Sequence, residues 1–511
     1  MCGIGAVLGN TNAEELLLKS LEKILHRGLK PFEIEAGEDY SLGANRLPIV
    51  DRENTQQPVR NEEGNLICVF NGELFNYSEL RKSLEEQGHS LNSSCDSELL
   101  PHLYEEYGEQ MLEYLDSEMY AFIIYDQKTK SYFAARDPIG VKPLYWAVAG
   151  STVYFASEIK QLVHFEQIKE IQVVPPGHYV KDGRVVKYST LLDKKKLLTV
   201  PLDEMIQRVR TLLYEAVRKR VQTDLPIGVF LSGGLDSTAI LSIARRFHPN
   251  VTALLVGKKG SRDPYYAEKY CKEFNIPYKF LESPSEEELE KRIQEIIYIT
   301  ETFEPNVVRQ SAISFYISKL GKGFRIILCG EGADEIFAGY PEFEGVSPAE
   351  INTLSLEFLK DLHRTQLQRV DRTSMHFTEE VRVPFLDSEL VAYALRIPGE
   401  YKVREGTTKW ILRKAMELEL PEYICWRKKV VLSEGAGYKG NDPSDGMFSS
   451  FIERKMSDGE FERVKKEFSP WNLRTKEEAY YFSIFRDFNF HKGTFAKKRV
   501  RANRTKSVRV C

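Results

Sequence analysis

A short apolar run that leads directly into a glycine-rich loop and then a helix most constrains how this chain folds. Residues 227–231 are apolar, residues 232–237 read Ser-Gly-Gly-Leu-Asp-Ser, and residues 238–247 have helical spacing. A second apolar run, 251–256, follows that helix, and a third lies at 324–328. Strands that alternate with helices in this way form a parallel sheet covered by helices. The second half of the chain is therefore predicted to hold an α/β domain.

The loop at 232–237 has the chemistry of a phosphate site. Its two glycines let the backbone approach phosphate oxygens without a Cβ in the way. Its amides and the helix N-terminus that follows present several N–H donors to an anion. Asp236 is a candidate Mg²⁺ ligand, and the lysine of a G-x-x-x-x-G-K-[ST] loop is missing. The pattern is instead similar to that of ATP pyrophosphatases, which hold the β- and γ-phosphates and release pyrophosphate.

A second acidic cluster follows the apolar run at 324–328. Residues 329–335 read Cys-Gly-Glu-Gly-Ala-Asp-Glu. Ligands of open α/β sheets bind beyond the carboxyl ends of the strands. Asp334 is therefore predicted to share Mg²⁺ with Asp236, and the alternative is a solvated acidic loop.

The second residue is a cysteine, and removal of Met1 would leave it at the N-terminus. An α-amino group titrates at about pH 7.7–8.0 and a thiol at about 8.5, so the amino group is able to act as base for the thiol. Cys2 is therefore a candidate nucleophile. Around it, the first 180 residues are predicted to be rich in strands, at 66–70, 120–126, 132–135 and 152–156, with helices at 77–87 and 97–107.

Composition excludes several classes of protein. A net charge of −4 argues against nucleic-acid binding. Seven cysteines without a Cys-x-x-Cys pair or metal-ligand spacing favour a reducing compartment, and we expect a cytoplasmic protein. No apolar run reaches the roughly 18 residues of a membrane span, and no signal peptide is visible.

Dispersed motifs in a consistent order make essentially the whole chain resemble the glutamine-hydrolysing asparagine synthetases. The motifs of the first half, which is similar to amidotransferases with an N-terminal cysteine nucleophile, are 2–4, 26–28, 46–51, 71–73, 95–98 and 136–145. Those of the second half are 232–237, 330–335, 371–372, 380–387, 426–429 and 475–481. The resemblance implies an αββα sandwich of the N-terminal-nucleophile class, followed by a parallel-sheet α/β domain of the PP-loop (ATP-pyrophosphatase) class.

The resemblance also implies a domain organisation. A type-2 glutamine amidotransferase domain is expected at 2–190 and the synthetase domain at 200–490, with the boundary between 189 and 201. Residues 491–511 form a basic tail, predicted to be disordered, with RNA contact as the alternative. A homodimer is expected by analogy only.

The first site is expected to hydrolyse glutamine, with its side-chain amide against Cys2. The planar fork of Arg46 suits the α-carboxylate of glutamine, and Asp96 with Glu73 accepts its α-ammonium. The resemblance implies that the Asn71 amide and the Gly72 N–H stabilise the oxyanion. The expected glutamine-binding set is Arg46, Leu47, Pro48, Ile49, Val50, Asn71, Gly72, Glu73 and Asp96.

The second site is expected to convert a carboxylate into an acyl adenylate. The resemblance implies that Glu331 acts as base for ammonia, which arrives through an internal channel, and that Lys429 faces the phosphates. Asp236 and Asp334 are the expected Mg²⁺ ligands. The expected ATP-binding set is Leu231, Ser232, Gly233, Gly234, Asp236, Ser237, Val256, Cys329 and Gly330.

The acceptor segment at 301–309 departs from the family. Asn306 and Val307 stand where well-known members carry two threonines, whereas Arg309 is kept as a partner for a carboxylate. Aspartate is the expected acceptor. The alternatives are another carboxylic acid, a β-lactam-forming synthetase, against which Cys2 argues, and a non-catalytic sensor, against which the retained site residues argue.

Two further departures lie in the first half. Leu29-Lys30 replaces Pro-Asp after residues 26–28, which predicts a looser loop beside the glutamine site. Ser117 replaces a glycine, which predicts strain if the turn needs positive φ. In the second half, Arg382 and residues 371–372 are interpreted as structural, with substrate contact as the alternative.

Overall fold

The structure is a computed structural model that describes residues 2–29, 31–53, 56–428, 430, 432–438 and 446–493. The predictions on Met1, Lys30, Lys429 and the tail from residue 494 onwards concern positions outside these ranges. Within them, no helix is long and apolar enough to cross a bilayer.

The strands follow the predicted runs closely and add others between them. They are β1 Cys2–Leu8, β2 Glu33–Ala36, β3 Tyr40–Arg46, β4 Val59–Arg60, β5 Leu66–Gly72, β6 Tyr120–Asp126, β7 Ser131–Arg136, β8 Tyr145–Ala149, β9 Thr152–Ala156, β10 Gln172–Val173, β11 His178–Lys181, β12 Arg184–Lys187, β13 Ile227–Phe230, β14 Val251–Gly257, β15 Tyr278–Glu282, β16 Ile326–Leu328 and β17 Glu380–Arg382.

Helices cover the sheets and make up most of the described residues beyond residue 345. They are α1 Ala13–Leu21, α2 Tyr77–Glu86, α3 Leu99–Tyr107, α4 Leu202–Arg220, α5 Leu235–Phe247, α6 Arg262–Glu273, α7 Glu286–Glu290, α8 Ile293–Thr300, α9 Pro305–Gly321, α10 Ala333–Ile336, α11 Pro348–Leu362, α12 Gln366–Met375, α13 Ser388–Ala394, α14 Gly399–Lys402, α15 Trp410–Met416, α16 Glu422–Cys425, α17 Leu432–Gly435, α18 Ser449–Lys455, α19 Asp458–Glu467 and α20 Lys476–Asp487.

Two antiparallel six-stranded sheets form the first half. Their orders are β10-β8-β9-β1-β3-β2 and β12-β11-β7-β6-β5-β4. Apolar side chains of β1 and β5, including Ile4 and Val69, meet in one buried cluster between the sheets. Such interlocking of two inner sheet faces is the packing of a β-sandwich. Because helices α1, α2 and α3 pack against these sheets, this half has the predicted αββα arrangement.

A parallel five-stranded sheet forms the second half, in the order β15-β14-β13-β16-β17. The glycine-rich loop follows β13, and the acidic cluster follows its neighbour β16. Both therefore lie at the carboxyl edge of the sheet, as the sequence predicts.

The two halves share buried structure. One apolar cluster joins Leu47, Ile49 and Ile139 of the first half to the sheet and helices of the second. Residues 491–493, which the sequence assigned to the tail, lie against the first half. Lys492 Nζ donates to the carbonyl of Val163 at 2.9 Å.

Candidate active sites

Cys2 lies at the start of β1, buried between the two antiparallel sheets. Its side chain is 4% exposed. The backbone N–H of Cys2 donates to Asn71 Oδ1, 3.1 Å away at the end of β5. The amide nitrogen of Asn71 is buried and has no hydrogen-bond partner among the described residues. A donor left free in this way beside a nucleophile is suited to an oxyanion.

Gly72 follows Asn71 at a close approach of two strands. A Cβ at this position would lie 2.2 Å from the carbonyl oxygen of Met119 on the neighbouring strand connection. A side chain there would displace the backbone that carries Asn71. The absence of a side chain at Gly72 therefore lets Asn71 keep its position. This is in addition to the predicted role of the Gly72 N–H.

Arg46 lies directly opposite Cys2 in the β1–β3 ladder. Its guanidinium donates to the carbonyls of Val50 and Asp51, at 2.6 and 2.9 Å. These bonds fold residues 47–51 back over the end of β3. The predicted binding residues Leu47, Pro48, Ile49 and Val50 therefore form a turn around the Arg46 side chain, and their contact with glutamine stays a prediction.

Glu73 and Asp96 are both buried beside this site. Burial raises the pKa of Asp96. The hydrogen bond that its carboxylate accepts from the Leu74 N–H, at 3.0 Å, acts in the opposite direction and lowers this pKa. Burial also raises the pKa of Glu73, which the nearby Asp96 raises further, whereas Arg382 at 3.2 Å lowers it. A cation such as the α-ammonium of glutamine would stabilise both carboxylates.

The sequence reasoning missed two side chains that contact Cys2. Gln57 Nε2 lies 3.6 Å from the Cys2 sulfur, while its amide oxygen accepts from the Phe70 N–H at 2.7 Å. Arg27 Nε donates to the carbonyl of Cys2 at 3.2 Å. Arg27 belongs to a motif of the resemblance, whereas no local pattern marks Gln57.

The glycine-rich loop is locked by its own serines. Ser232 and Ser237 hydroxyls lie 3.1 Å apart, and the Ser237 hydroxyl accepts from the Ser232 N–H at 3.2 Å. Gly233 has φ +65°, and a Cβ there would lie 2.5 Å from the nitrogen of Ala267. The loop is therefore a fixed turn. Its last residue, Gly234, is the N-cap of α5.

Asp236 and Asp334 converge, but on a lysine that the sequence reasoning missed. Lys409 Nζ lies 2.5 Å from Asp236 and 2.7 Å from Asp334, and its side chain is 2% exposed. Asp236 Oδ1 is buried and has no hydrogen-bond partner among the described residues. Lys409 precedes α15, about 170 residues after Asp236, and only the tertiary fold brings the three together.

These loops surround a cavity of about 170 Å³ at the carboxyl edge of the sheet. It is lined by predicted ATP-site residues and by residues of α9 and α12. The predicted residues among them are Leu231, Ser232, Asp236, Ser237, Val256, Cys329, Gly330, Glu331 and Asp334. Glu331 forms a short ion pair with Arg369 of α12, another lining residue. Arg369 has no signal in the sequence, and it brings a cation into the cavity.

The predicted acceptor residues lie elsewhere on α9. Asn306 is exposed, and Arg309 forms a buried, two-bond ion pair with Glu477 of α20. Neither is among the described residues that line the cavity, where α9 instead contributes Gln310, Ser314 and Ile317. The acceptor role of Asn306 and Arg309 stays a prediction. In the structure the Arg309 guanidinium already has a carboxylate partner.

The basic run at 427–429 is partly internal. Arg427 donates to the carbonyl of Gly233 at 2.8 Å and pairs with Asp263, while Lys428 is exposed. Arg427 therefore supports the predicted phosphate loop. Lys429, the predicted phosphate contact, lies outside the described residues.

The residues interpreted as structural join the two halves. Arg382 pairs with Glu380 at 2.5 Å and reaches Glu73 of the glutamine site. The Asp371 carboxylate accepts hydrogen bonds from both terminal nitrogens of Arg27, at 2.9 and 3.0 Å. Burial by itself would raise the pKa of Asp371. The adjacent Arg27 guanidinium outweighs burial and lowers this pKa to about 2. The structural interpretation of Arg382 and Asp371 fits these contacts.

The expectation of strain at Ser117 is wrong. Its φ is not positive among the described residues, and its hydroxyl donates to the carbonyl of Glu73 at 2.6 Å. It also accepts from the Met119 N–H at 3.0 Å. The serine side chain forms the turn with its own hydrogen bonds, so glycine is not needed.

Comparison with known proteins matches both halves. The family described as "Glutamine amidotransferase domain" matches residues 1–196, and the family described as "Asparagine synthase" matches 208–353 and 344–481. Asparagine synthetase [glutamine-hydrolyzing] 3 of Arabidopsis thaliana is 34% identical, over 96% of this chain and 87% of its own length. The corresponding enzyme of Sandersonia aurantiaca is 33% identical over 95% of each chain. That of Zea mays is 32% identical over 95% and 85%.

Proposed function

The chain belongs to the family of glutamine-hydrolysing asparagine synthetases, and from this membership we propose how its two sites work. It is a ligase that amidates aspartate to asparagine, with glutamine as the nitrogen donor and ATP as co-substrate. The observation that carries the proposal is the buried contact of Cys2 with Asn71, whose amide nitrogen is left free to donate. A non-catalytic sensor would not need this donor.

At the first site, we propose that the Cys2 thiolate attacks the side-chain amide carbon of glutamine. Removal of Met1 supplies the α-amino group that accepts the thiol proton. The Asn71 amide nitrogen and the Gly72 N–H donate to the oxyanion, and Gln57 orients the sulfur. The α-amino group then gives this proton to the leaving nitrogen, ammonia departs, and water hydrolyses the thioester to glutamate and restores the Cys2 thiol.

Glu73 and Asp96 hold the α-ammonium of glutamine, and Arg46 its α-carboxylate. The two buried carboxylates lie next to each other, which favours a cationic ligand over an uncharged one. This pair also explains why Glu73 is joined to Arg382, because the arginine neutralises part of the charge when no ligand is present.

At the second site, we propose that the β-carboxylate of aspartate attacks the α-phosphorus of ATP, and pyrophosphate leaves. The adenosine lies against Leu231, Val256 and the backbone of Cys329 and Gly330, all at the cavity. The N–H groups of the loop at 232–237 hold the phosphates. Glu331 then takes a proton from the incoming ammonia as it attacks the acyl adenylate, and AMP leaves as the acyl–phosphate bond breaks.

The donor set at this site fits Mg²⁺. Asp236 and Asp334 offer hard carboxylate oxygens, and the buried Asp236 Oδ1 has no hydrogen-bond partner in the described part of the chain. Bound there, Mg²⁺ would neutralise the phosphates of ATP as pyrophosphate departs. Lys409 lies between the two carboxylates and would remain as a second cation on the same phosphates.

Arg369 is our candidate for the α-carboxylate of aspartate, in preference to Arg309. Both arginines have a carboxylate partner, Glu331 for Arg369 and Glu477 for Arg309, but only Arg369 is among the described residues that line the cavity. Asn306, being exposed outside the cavity, then tolerates variation. This assignment keeps aspartate as the acceptor despite the altered segment at 301–309.

The first experiment measures pyrophosphate release from ATP and Mg²⁺ with ammonium and a panel of carboxylic acids. We expect release that depends on aspartate, with asparagine formed. Release with a different acid would overturn the acceptor. In Cys2→Ala, we expect glutamine-dependent synthesis to be lost and ammonium-dependent synthesis to be kept, because the nucleophile serves the first site only.

We further propose the domain limits 2–190 and 200–490, a cytoplasmic location and a homodimer. The six described cysteines are buried and free, which suits a reducing compartment. The dimer rests on analogy, and sedimentation of the purified protein tests it.

A further inference from the structure

A group of histidines and glutamates converges in the amidotransferase half, apart from both sites described above. Glu62, His89, His102 and Glu105 each place one ligand atom within 4.8 Å of the others. Glu62 lies in the turn between β4 and β5, and His89 lies in the connection between α2 and α3. His102 and Glu105 are three residues apart on α3, so both project from one face of that helix.

The hydrogen bond of His89 to Glu106 uses its Nε2 atom, so its Nδ1 atom is the one that faces this group. His89 Nε2 lies 3.0 Å from the Glu106 carboxylate, to which it donates. In the neutral ring, Nδ1 then carries the lone pair, and it faces Glu62 at 3.0 Å and His102 Nδ1 at 3.3 Å. A histidine whose second N–H is held by a carboxylate is the usual arrangement of a metal ligand.

His102 faces the same point. Its ring is 1% exposed, and its Nδ1 lies 2.9 Å from the second oxygen of Glu62. Its Nε2 has no partner among the described residues, so the ring acts through Nδ1.

The distance between the two histidine nitrogens matches one edge of a tetrahedral zinc site. Zn–N bonds of about 2.05 Å place two ligand nitrogens about 3.3 Å apart on the edge of a tetrahedron. The two Nδ1 atoms are 3.3 Å apart.

We propose that Glu62, His89, His102 and Glu105 bind one structural Zn²⁺, with Glu106 orienting His89. Two imidazoles with two carboxylates favour Zn²⁺ over Mg²⁺ or Ca²⁺, which prefer oxygen ligands alone. Four protein ligands close the coordination shell, as in structural rather than catalytic zinc sites. The ion ties the β4–β5 turn and the α2–α3 connection to α3. The same connection carries Asp96 of the glutamine site.

The test uses the full chain, stripped with a chelator and titrated with Zn²⁺ alone against a chromophoric chelator, without ATP or Mg²⁺. We expect one tight site in the wild-type protein. We expect loss of that site in His89→Gln, and an affinity about 10–100-fold lower in Glu106→Gln, which removes only the orienting carboxylate. His164→Gln alters an exposed histidine outside the group and is the matched control.

Substitution with Co²⁺ reports the coordination geometry of the bound ion. We expect the strong visible bands of tetrahedral Co²⁺ in the wild type and in His164→Gln, and their loss in His89→Gln. Glu106 is exposed, so Glu106→Gln folds normally and keeps the test decisive. Equal Zn²⁺ affinity in wild type and both group variants, or weak octahedral Co²⁺ bands, would overturn the zinc site and leave an ion-pair cluster. The result is independent of asparagine synthesis.

Discussion

At the scale of single residues, function depends on polar atoms that are buried and left free. Asn71 uses its amide oxygen on the Cys2 N–H and keeps its amide nitrogen for a ligand. Asp236 likewise has one carboxylate oxygen on Lys409 and one without a hydrogen-bond partner among described residues. Such atoms cost stability unless a substrate or ion completes them. At Asn71 and Asp236 the free atom lies at a candidate site, where we propose that a substrate or an ion completes it.

Asn71→Ala tests the oxyanion donor. We expect the kcat for glutamine hydrolysis to fall about 10²–10³-fold with little change in KM, because the donor acts on charge that develops in the transition state. Ammonium-dependent synthesis should be unchanged. Asn12→Ala, at an exposed asparagine without a capping bond, is the control. A change in KM alone would instead make Asn71 a binding residue.

Glu73 predicts how glutamine binding depends on pH. Burial raises its pKa to about 8, so the carboxyl is mostly protonated at pH 7. The α-ammonium of glutamine needs the ionised form, so we expect the KM for glutamine to fall about fivefold between about pH 7 and 8. Steady-state kinetics measure this dependence. In Glu73→Gln the KM should be high and flat over that range, and an unchanged slope would exclude Glu73.

The raised pKa of Glu73 also makes the free energy of unfolding depend on pH. Folded Glu73 holds a proton that the unfolded chain releases above about pH 4.5. The free energy of unfolding therefore contains a contribution from Glu73 that is fully present below about pH 4.5. It is lost as the pH rises towards about 8.

At the scale of elements, helix α9 shows how one segment serves two purposes. Gln310, Ser314 and Ile317 recur at helical spacing and face the cavity. Arg309 projects from another side of α9 and pairs with Glu477 of α20. Because a helix advances 100° per residue, neighbouring residues point in different directions. A segment that resembles an acceptor motif therefore divides between binding and support.

The loop between β13 and α5 gives a prediction at this scale. Gly233→Ala would place a Cβ 2.5 Å from the Ala267 nitrogen, at a residue with φ +65°. We expect pyrophosphate release to fall by more than about tenfold, because the loop that carries the phosphate donors must move. Glutamine hydrolysis should persist. Gly260→Ala has a similar φ of +78° with no atom within 4 Å, so it separates steric contact from backbone strain.

At the scale of the whole molecule, the two halves are joined by buried charges as well as by apolar packing. Arg27 of the first half lies between Asp371 and Glu158, and Arg372 of the second half pairs with Glu301 and Asp371. A buried pair is costly to break, since the remaining charge has no compensation. This interface therefore fixes the first site relative to the second.

Asp371→Asn tests that interface. We expect the free energy of unfolding to fall by about 3–5 kcal/mol, the scale for removing one partner of a buried ion pair. We also expect glutamine hydrolysis to exceed asparagine formation, because ammonia escapes when the halves separate. Chemical denaturation and the ratio of glutamate to asparagine measure the two effects. Asp361→Asn, a partly exposed partner of Arg364, should change stability by less than about 1 kcal/mol.

The sequence by itself determined the fold class, and it marked a candidate nucleophile and a candidate phosphate loop. Each of these is local: apolar runs at 227–231 and 251–256, the loop at 232–237 and Cys2 are contiguous signals whose chemistry depends on neighbours in the chain. The family and its reaction follow from the same signals taken in order. Ser117 shows the limit of such local signals. The sequence predicted strain where serine replaces glycine, but the serine hydroxyl stabilises the turn with its own hydrogen bonds.

Only the tertiary structure decided which distant side chains meet. Lys409 reaches Asp236, Arg369 reaches Glu331 and Gln57 reaches Cys2 across long stretches of sequence. Arg309 turned towards Glu477 because the helix direction, not the motif, sets where a side chain points. Such contacts depend on strand register and helix packing, which one sequence does not encode in any local pattern.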